Sequence, residues 1–513
     1  MNPIELYKKG NVDEVFNYLN TCSDSSIFSY LAKIALAERQ YGDALLFLSH
    51  SCHKNYSQLF ELLNEDYGIN TLINCHEAYF SSNIVPSELK YVVYMTMVRN
   101  DFLSKVNIPI SILISMFQSM TDAVYNAIRT PLEYSNLDCN ANEDIDAWVL
   151  CSQFLGYNHG PTLTALTVAN NLSDKGLRVG IICTNSFNFD LDIYSRNIFK
   201  GNFIQEYSNH IIVNIEDNSY LGSSNKDHSI MIYKGAEYPY YSLDGDLLAR
   251  SRSLLKELKN SQAYMISIGD SNLYADIVAR YCDIYNLPCS FTAPRVNFEY
   301  PAICRQLTEY DGVTVDSFSK PLVETRFPYS TRFELSNNKK NKLKDKNIKI
   351  ALVGSRLEQE LNHETLTRLS YLVKKMSKIR LVFIGVELTS TIRNALVSYN
   401  IPLGKVSCTG FVERIEKHLS DVHFYFNPRR KGGGTSVLEA LALGIPPICF
   451  KYGDGFHTAG DYFGFEKDED VLSFIESSSL KRDEIKSECH NSYLLNTNVK
   501  QVITDLTRGE ITF

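Results

Sequence analysis

The chain has 513 residues, of which 44% are hydrophobic and 21% are charged, a composition typical of soluble globular proteins. This length suggests about three domains at roughly 150 residues each. The formal net charge of -8 and the pI near 5.8 disfavour nucleic acid or an anionic membrane surface as a partner.

The N-terminus and the cysteines bear on the cellular compartment. The chain does not begin with the apolar run of a secretory signal, and no uncharged apolar stretch reaches the roughly 18 residues that span a bilayer. The 12 cysteines include no Cys-x-x-Cys pair and no His/Cys cluster at zinc spacing. We therefore expect a cytoplasmic protein with reduced thiols, without a metal site and without a membrane span.

Residues 1–140 have helical apolar patterns and no convincing strand. Segments 11–19 and 40–48 resemble each other loosely, as the second helices of helix-turn-helix repeats would. The sequence therefore predicts an all-helical, tetratricopeptide-like domain over 1–140. Such a domain fits either a protein-binding surface or a helical cap on the next domain. The Asn- and Asp-rich run 134–146 is typical of a linker.

Short apolar runs alternate with amphipathic segments over residues 147–335. The predicted strands are 147–152, 179–183, 211–215, 231–233, 264–268 and 289–292. The predicted helices are 162–175, 246–260 and 273–285. This alternation is typical of a parallel sheet with helices on both faces, so we assign 147–335 to a Rossmann-like domain.

A charged, apolar-poor run at 336–346 is typical of a solvated linker, although a basic patch could also contact a polyanion. The alternation then resumes, and we assign 347–513 to a second Rossmann-like domain. Its predicted strands are 348–353, 380–384, 406–409, 422–427 and 447–450, and its predicted helices are 364–376, 391–399, 415–419 and 436–443. Two doubly wound domains in tandem turn their strand ends towards each other, with the ligand crevice between them.

Segment 427–446 carries a strong ligand-binding signal. Its three glycines, 432–434, allow the backbone to come close to a ligand, and Thr435 and Ser436 stand where a helix should begin. Gly444 and the prolines after it are a helix stop. Because free N–H groups at a helix start bind anions, we predict a nucleotide diphosphate site here. A simple tight turn is the alternative.

The positions of the residues in this segment predict which of them would contact the nucleotide diphosphate. The backbone N–H groups that would meet the diphosphate belong to Gly433, Gly434, Thr435 and Ser436. Lys431 and Arg430, which precede the glycines, add positive charge. Glu439 lies one turn into the helix and could hold the two hydroxyls of a ribose.

Residues 147–513 resemble a nucleotide-sugar glycosyltransferase of the GT-B fold, with a C-terminal domain like that of the group 1 glycosyltransferases. The motifs that carry the resemblance occur in the family's order, at 156–161 with the helix after it, 353–356, 409–412 and 432–439. The resemblance implies an α/β protein in which two doubly wound Rossmann-like domains face a cleft, here preceded by an all-α domain.

The resemblance also implies roles for individual residues. Arg356 would bind the donor diphosphate together with the glycine loop, and Glu439 would bind the ribose. The backbone at Phe411 and Val412 would face the nucleobase. The acceptor-side loop would include Asn158 and Gly160.

The chain departs from the common retaining branch of that family. The retaining branch has two glutamates eight positions apart around the loop, and here the first position holds Lys431 while Glu439 occupies the second. A lysine that the family has shortly after Arg356 is absent, and Glu358 and Glu360 stand there. One interpretation is that the two changes are linked, with Lys431 neutralising the diphosphate as a point charge, and the stereochemical outcome stays open.

Segment 453–461 is similar to the soluble bacterial N-glycosyltransferases that modify adhesins, which also carry an all-helical N-terminal domain. By that resemblance His457 and Asp461 would lie near the donor sugar. A capped turn is the alternative interpretation of these two residues.

An inverting transfer also needs a base for the acceptor. His159 is the first candidate, because it lies in a loop at the carboxyl end of a strand. The alternative is a loop histidine that caps a backbone carbonyl. Asp270, in the loop after another predicted strand, is the second candidate, and its alternative role is the N-cap of the following helix.

The sequence thus predicts a cytoplasmic bacterial glycosyltransferase of hexosyltransferase type, acting without metal or cofactor. It would move a sugar from a nucleotide-diphosphate donor, a UDP sugar by the resemblance, to a protein or glycan acceptor. A sugar-nucleotide epimerase and a non-catalytic helical-repeat binding protein are the alternatives. A nicotinamide dehydrogenase is disfavoured, because neither α/β half has a Gly-x-Gly-x-x-Gly turn after its first strand.

Overall fold

A computed structural model of the protein describes most of the chain. The described residues are 3–19, 25–37, 40–51, 59, 63, 66–82, 85–102, 107–133, 145–157, 159–184, 186, 211–217, 219–224, 228–243, 245–329, 347–354, 357–412 and 415–513. The predicted linkers at 134–146 and 336–346 lie almost wholly outside these ranges.

The N-terminal region is helical, as the sequence predicts. Its helices are Pro3–Lys8, Val12–Leu19, Ser25–Ala37, Tyr41–Ser51, Asp66–Ser81, Ser87–Phe102 and Ile110–Glu133. We call this region the helical domain. Its relation to tetratricopeptide repeats stays a prediction.

A ten-stranded sheet follows. Its strands are β1 (Ala147–Cys151), β2 (Val179–Cys183), β3 (Ile211–Asn214), β4 (Ser219–Ser223), β5 (Ser229–Tyr233), β6 (Ala236–Ser242), β7 (Tyr264–Ile268), β8 (Tyr285–Leu287), β9 (Tyr300–Ile303) and β10 (Val323–Glu324). They lie in the order β10-β9-β8-β7-β1-β2-β6-β5-β3-β4. The pairing is parallel from β10 to β6, whereas β6 with β5 and β3 with β4 are antiparallel. The prediction of a parallel sheet therefore holds from the β10 edge to β6.

Two sequence predictions in this domain are wrong. The helix predicted over 273–285 ends at Val278, and the chain then forms β8. The strand predicted at 289–292 is a loop. In that loop the N–H of Cys289 is bonded to the side chain of Asp270, 2.7 Å away, instead of to a neighbouring strand. The other helices here are Gly160–Asp174 and Leu247–Leu258.

Both faces of this sheet are buried. Successive side chains of a strand point to opposite faces, so alternate residues of β1 enter different cores. In β1, Trp148 and Leu150 point into a core shared with the helical domain. Val149 and Cys151 point to the opposite face, against the helix Gly160–Asp174. The same core includes side chains of the helices Leu247–Leu258 and Leu273–Val278, and the helical domain packs against these two helices on this side of the first Rossmann-like domain.

The second Rossmann-like domain has a six-stranded sheet that is parallel throughout. Its strands are β11 (Ile348–Val353), β12 (Ile379–Ile384), β13 (Val406–Cys408), β14 (Phe424–Asn427), β15 (Pro447–Phe450) and β16 (Gly464–Phe465). They lie in the order β13-β12-β11-β14-β15-β16, so the order reverses at β11. Its helices are Leu357–Glu360, His363–Lys375, Ser390–Ser398, Ile415–Leu419, Gly434–Ala442, Gly453–Ala459, Asp468–Ser477 and Arg482–Thr497.

The last helix, Val499–Leu506, belongs to the first Rossmann-like core by its packing. Val502 and Ile503 are buried among side chains of that core. The Tyr285 hydroxyl donates to Glu510 Oε2 at 3.1 Å, just beyond the helix. The end of the chain therefore ties the second domain to the first.

Candidate functional site

A cavity of about 480 Å³ lies where the three parts of the protein meet. It opens at the carboxyl ends of strands near the two points where strand order reverses, the usual ligand position in doubly wound sheets. The first Rossmann-like domain lines it with residues after β1, β7 and β8, namely Ser152, Gln153, Leu155, His159, Gly160, Pro161, Thr164, Gly269, Asp270, Ser271, Cys289, Ser290, Thr292 and Arg295. The second lines it with Lys431, Gly432, Gly433, Gly434, Thr435 and Asp454.

The glycine loop, 431–435, needs its glycines for steric reasons. Gly433 has φ of +100°, and a Cβ there would lie 2.5 Å from the Arg430 Nε and the Asn427 Oδ1. A Cβ on Gly434 would overlap the hydroxyl of Tyr329. The loop is thus packed against the protein on one side while its other side faces the cavity.

Two helices begin at this cavity. Gly433 is the N-cap of the helix Gly434–Ala442, and no side chain caps it. Opposite it, the helix Gly160–Asp174 begins with Gly160, where a Cβ would lie 3.4 Å from the Thr435 Oγ1. The first N–H groups of a helix have no intrahelical acceptor and carry a partial positive charge. The arrangement therefore suits a bound anion.

The two cations before the glycines have different roles. Lys431 lines the cavity, and its Nζ lies 2.6 Å from the Asp101 Oδ1 of the helical domain. Arg430 lies behind the loop, with Nη1 2.5 Å from the Glu360 Oε2 and Nη2 2.9 Å from the Tyr425 hydroxyl. The expectation that Arg430 adds charge for a ligand is wrong, because its guanidinium is buried in this network and supports the loop.

His159 lines the cavity immediately before the helix Gly160–Asp174. Its Nδ1 lies 2.9 Å from the Thr162 Oγ1, which also accepts the N–H of Leu155 at 3.0 Å. Burial lowers the pKa of His159 to about 4. The imidazole is therefore neutral at pH 7, and the burial that lowers its pKa also makes it a weak base.

Asp270 also lines the cavity, but its carboxylate already has several donors. Oδ1 accepts from the Cys289 N–H at 2.7 Å. Oδ2 accepts from the Ser290 hydroxyl at 2.8 Å and forms an ion pair with the Arg295 Nη2 at 3.4 Å. The N-cap of the following helix is Asn272, which accepts from the Ala275 N–H, so the capping interpretation of Asp270 is wrong. This geometry makes Asp270 an anchor for the loop after β8.

The remaining predicted site residues do not line this cavity, or lie outside the described residues. Ser436, Glu439, Phe411, Val412, His457 and Asp461 are absent from its lining. Glu439 is 2% exposed, whereas Phe411 is 81% exposed. His457 stacks on Phe291 with 4.9 Å between ring centroids, and burial lowers its pKa to about 4. Arg356 and Asn158 are outside the described part of the chain.

Sequence reasoning missed Asp454 and Asp101. Asp454 lines the cavity from the helix Gly453–Ala459, and its Oδ1 accepts the Phe291 N–H at 3.0 Å. Burial raises the pKa of Asp454 to about 8, with a smaller contribution from the charge of Asp270. Asp454 belongs to segment 453–461, which the sequence did single out. No sequence signal marks Asp101, because only tertiary packing brings it to the cavity.

No group of three His, Cys, Asp or Glu side chains among the described residues is arranged to hold a metal ion. None of the helices within the described ranges has the length and apolar character to cross a membrane.

Two Rossmann-like domains whose strand ends face a common cleft define the GT-B fold, and this chain has that fold. Residues 335–469 match the family model described as "Glycosyl transferases group 1". The matched segment includes the whole glycine loop and the helix after it. The fold and this match together support sugar transfer as the class of activity.

Searches for similar proteins add fold likenesses only. A mutant O-GlcNAc transferase from Thermobaculum terrenum is 12% identical with a TM-score of 0.46, covering 94% of this chain and 96% of that one. A glycosyltransferase from Rickettsia africae is 11% identical with a TM-score of 0.45, covering 71% of this chain and 97% of that one. The pneumococcal O-GlcNAc transferase GtfA is 10% identical with a TM-score of 0.40, covering 71% of this chain and 97% of that one. No curated protein matches the sequence.

Proposed function

We propose that the protein transfers a sugar from a nucleoside-diphosphate donor, and that the glycine loop binds the diphosphate. The observation that carries the proposal is the uncapped N-terminus of the helix Gly434–Ala442, which opens into the cavity beside the ammonium of Lys431. Backbone N–H groups and a cation at this position stabilise the charge that grows on the leaving diphosphate.

The reaction breaks the bond between the anomeric carbon of the sugar and the diphosphate oxygen. A new bond forms from that carbon to an acceptor oxygen or nitrogen, and the acceptor loses a proton. His159 is the proposed base, because its imidazole lines the cavity and is neutral at pH 7. In the proposed tautomer Nδ1–H donates to the Thr162 Oγ1, which leaves Nε2 as the nitrogen that takes the proton.

Finer features are also proposals. The donor is taken to be a UDP sugar and the transfer a hexosyl transfer to a protein or glycan acceptor, as the resemblance implies. The resemblance also implies that Glu439 binds the ribose, although its side chain is buried and outside the cavity lining. We propose a cytoplasmic location, which is supported by the reduced thiols of the cysteines that the structure describes. We propose that no metal is needed, because helix N-termini and Lys431 can neutralise the diphosphate.

The test is donor turnover by the full chain. UDP sugars and other nucleotide sugars are offered with and without cell extract, and release of free nucleoside diphosphate is measured with EDTA present. We expect turnover by the wild type and a loss of about tenfold or more for Lys431→Met, since one charged contact to the leaving group is removed. Lys451→Met is the matched control, because Lys451 pairs with Glu466 at the surface.

Absence of wild-type turnover from every nucleotide sugar offered would overturn the proposal. Equal turnover by the wild type and Lys431→Met would show that Lys431 does not contact the leaving diphosphate. A donor that is converted to another sugar nucleotide without release of diphosphate would identify an epimerase instead.

A further inference from the structure

The helical domain forms one wall of the cavity. Its helix Ser87–Phe102 lines the cavity with Met95, Val98, Arg99, Asp101 and Phe102. The same helix is fixed to the first Rossmann-like domain, where the ring of Tyr91 meets that of Tyr274 edge-on and the Tyr94 hydroxyl donates to the Ser271 Oγ at 3.2 Å. The helical domain and the first Rossmann-like domain therefore face the glycine loop together.

One charged contact crosses the cavity from this wall. Asp101 Oδ1 lies 2.6 Å from the Lys431 Nζ, and the two side chains are 5% and 18% exposed. The same oxygen accepts the N–H of Ile108 at 3.1 Å, so the carboxylate is held by its own domain. Beside it, Phe102 packs on Gly432, where a Cβ would lie 3.2 Å from the Phe102 Cζ. The helix end and the glycine loop are thus fitted closely to each other.

The position and charge of the Lys431 ammonium depend on its partner Asp101. A lysine ammonium on a flexible four-carbon stem has no fixed position of its own, and a buried ammonium is costly without a partner. Asp101 supplies both a position and a counter-charge. An ammonium has three N–H donors, and the bond to Asp101 uses one of them. The other two can reach phosphate oxygens at the glycine loop.

We propose that Asp101 is a positioning residue of the donor site: the helical domain, through this carboxylate, holds the Lys431 ammonium where it binds the terminal phosphate of a nucleoside diphosphate. This inference rests on the proposed function. It makes the helical domain a necessary part of donor binding, in addition to any role towards an acceptor.

The experiment compares two ligands that differ by the terminal phosphate. Dissociation constants for UDP and UMP are measured by titration calorimetry on the full chain, for the wild type, Asp101→Asn, Asp101→Glu, Lys431→Met and the double variant Asp101→Asn with Lys431→Met. We expect Asp101→Asn to weaken UDP binding by about tenfold, as expected for the loss of one charged contact, and to leave UMP binding nearly unchanged. In the Lys431→Met background, Asp101→Asn should cause no further loss, because the two residues act as a unit.

Asp101→Glu keeps the charge but moves it by one methylene. We expect an intermediate loss of UDP affinity of about threefold, since a displacement near 1 Å weakens a precise contact. This variant decides the question if Asp101→Asn does not fold, because it leaves Lys431 with a counter-charge. Wild-type UDP affinity in Asp101→Glu would then overturn the inference.

The matched control is Asp122→Asn. Asp122 is in the same domain and pairs with Arg280 of the first Rossmann-like domain, away from the cavity, with its side chain 52% exposed. We expect this variant to bind UDP as the wild type does. A loss of UDP affinity in Asp122→Asn as large as that in Asp101→Asn would overturn the inference, because any weakened domain contact would then have the same effect.

The remaining outcomes separate the inference from the proposed function. If the wild type binds UDP and folded Asp101→Asn binds it equally well, the inference is overturned and the proposed function stands. Equal losses of UDP and UMP affinity would make the role of Asp101 merely structural and overturn the inference. If the wild type binds neither nucleotide, the diphosphate proposal fails and the inference fails with it.

Discussion

Burial decides the charge of several side chains around the cavity. Asp454, whose pKa is raised to about 8, is mostly protonated at pH 7, and His159, whose pKa is lowered to about 4, is neutral. Lys431 and Asp101 form an ion pair across the cavity. Because Asp454 is mostly protonated, this acid of the cavity lining adds little negative charge against a diphosphate.

The first prediction concerns Asp454 and pH. The native pKa of about 8 is above the value near 3.9 of an unfolded aspartate, so the native state binds more protons between these limits. Stability contributed by this group is therefore fully present below about pH 4 and is lost as pH rises towards about 8. Asp454→Asn keeps the bond to the Phe291 N–H and removes the titration.

We expect Asp454→Asn to raise the thermal midpoint over the wild type by roughly 2 °C or more at pH 8, and by less at pH 5, because a ΔΔG near 1 kcal/mol shifts Tm by about this amount. The difference is read by differential scanning fluorimetry across pH 5–8. Asp316→Asn, at an exposed position, is the control for the Asp-to-Asn substitution itself. A midpoint difference for Asp454→Asn that does not grow with pH would contradict the prediction.

At the scale of the elements, neighbouring side chains fix the position of the glycine loop and its helix. Gly434 has no room for a side chain, because Tyr329 and Thr458 occupy the space, and these two hydroxyls lie 3.1 Å apart. Asn427 and Arg430 fill the space beside Gly433. The position of the helix start, and hence of the N–H groups that would meet a ligand, depends on these contacts.

The second prediction follows at this scale. Gly434→Ala adds one methyl group where the Tyr329 hydroxyl lies, so the helix start must shift. We expect a loss of stability of about 1–3 kcal/mol, the usual cost of overpacking, and a fall of UDP affinity of about tenfold or more. Both are measured on the same protein, by urea unfolding and by calorimetry. Gly404→Ala is the matched control, because nothing lies within 4 Å of a Cβ there. Unchanged UDP affinity in Gly434→Ala would show that the helix start does not carry the site.

For the whole molecule, the C-terminal helix Val499–Leu506 couples the two Rossmann-like domains. It follows the helix Arg482–Thr497 of the second domain, yet its buried side chains lie in the core of the first. The single tryptophan of the chain, Trp148, lies in β1 of that first domain and is 6% exposed. Tryptophan fluorescence therefore reports unfolding of the first domain and of the core that it shares with the helical domain.

The third prediction uses this reporter. Ile503 is fully buried, so Ile503→Ala should destabilise the first domain by about 3 kcal/mol through lost burial and a residual cavity. We expect the urea midpoint of the Trp148 fluorescence change to fall, although the mutation lies near the other end of the chain. Leu480→Ala is the control, because Leu480 is 90% exposed. An unchanged Trp148 midpoint in Ile503→Ala would mean that the helix does not stabilise the first domain.

Much of the fold could be predicted from local patterns. Strands such as 179–183, 264–268 and 447–450 occur at the predicted positions, because short apolar runs bounded by turn residues leave few alternatives. The wrong strand prediction at 289–292 has a physical cause in Asp270. A side chain there takes the N–H of Cys289 that a strand would have used, and propensity does not reveal such a bond.

The sequence by itself determined the helical N-terminal region, the two Rossmann-like patterns and the glycine loop with its helix, because periodicity, glycine and proline act within a few residues of each other. Only the tertiary structure decided which side chains meet at the cavity. Asp101 reaches Lys431, Asp454 becomes a weak acid, and Arg430 turns away to Glu360. Each of these depends on burial and on contacts between residues far apart in the chain, and no local pattern encodes them.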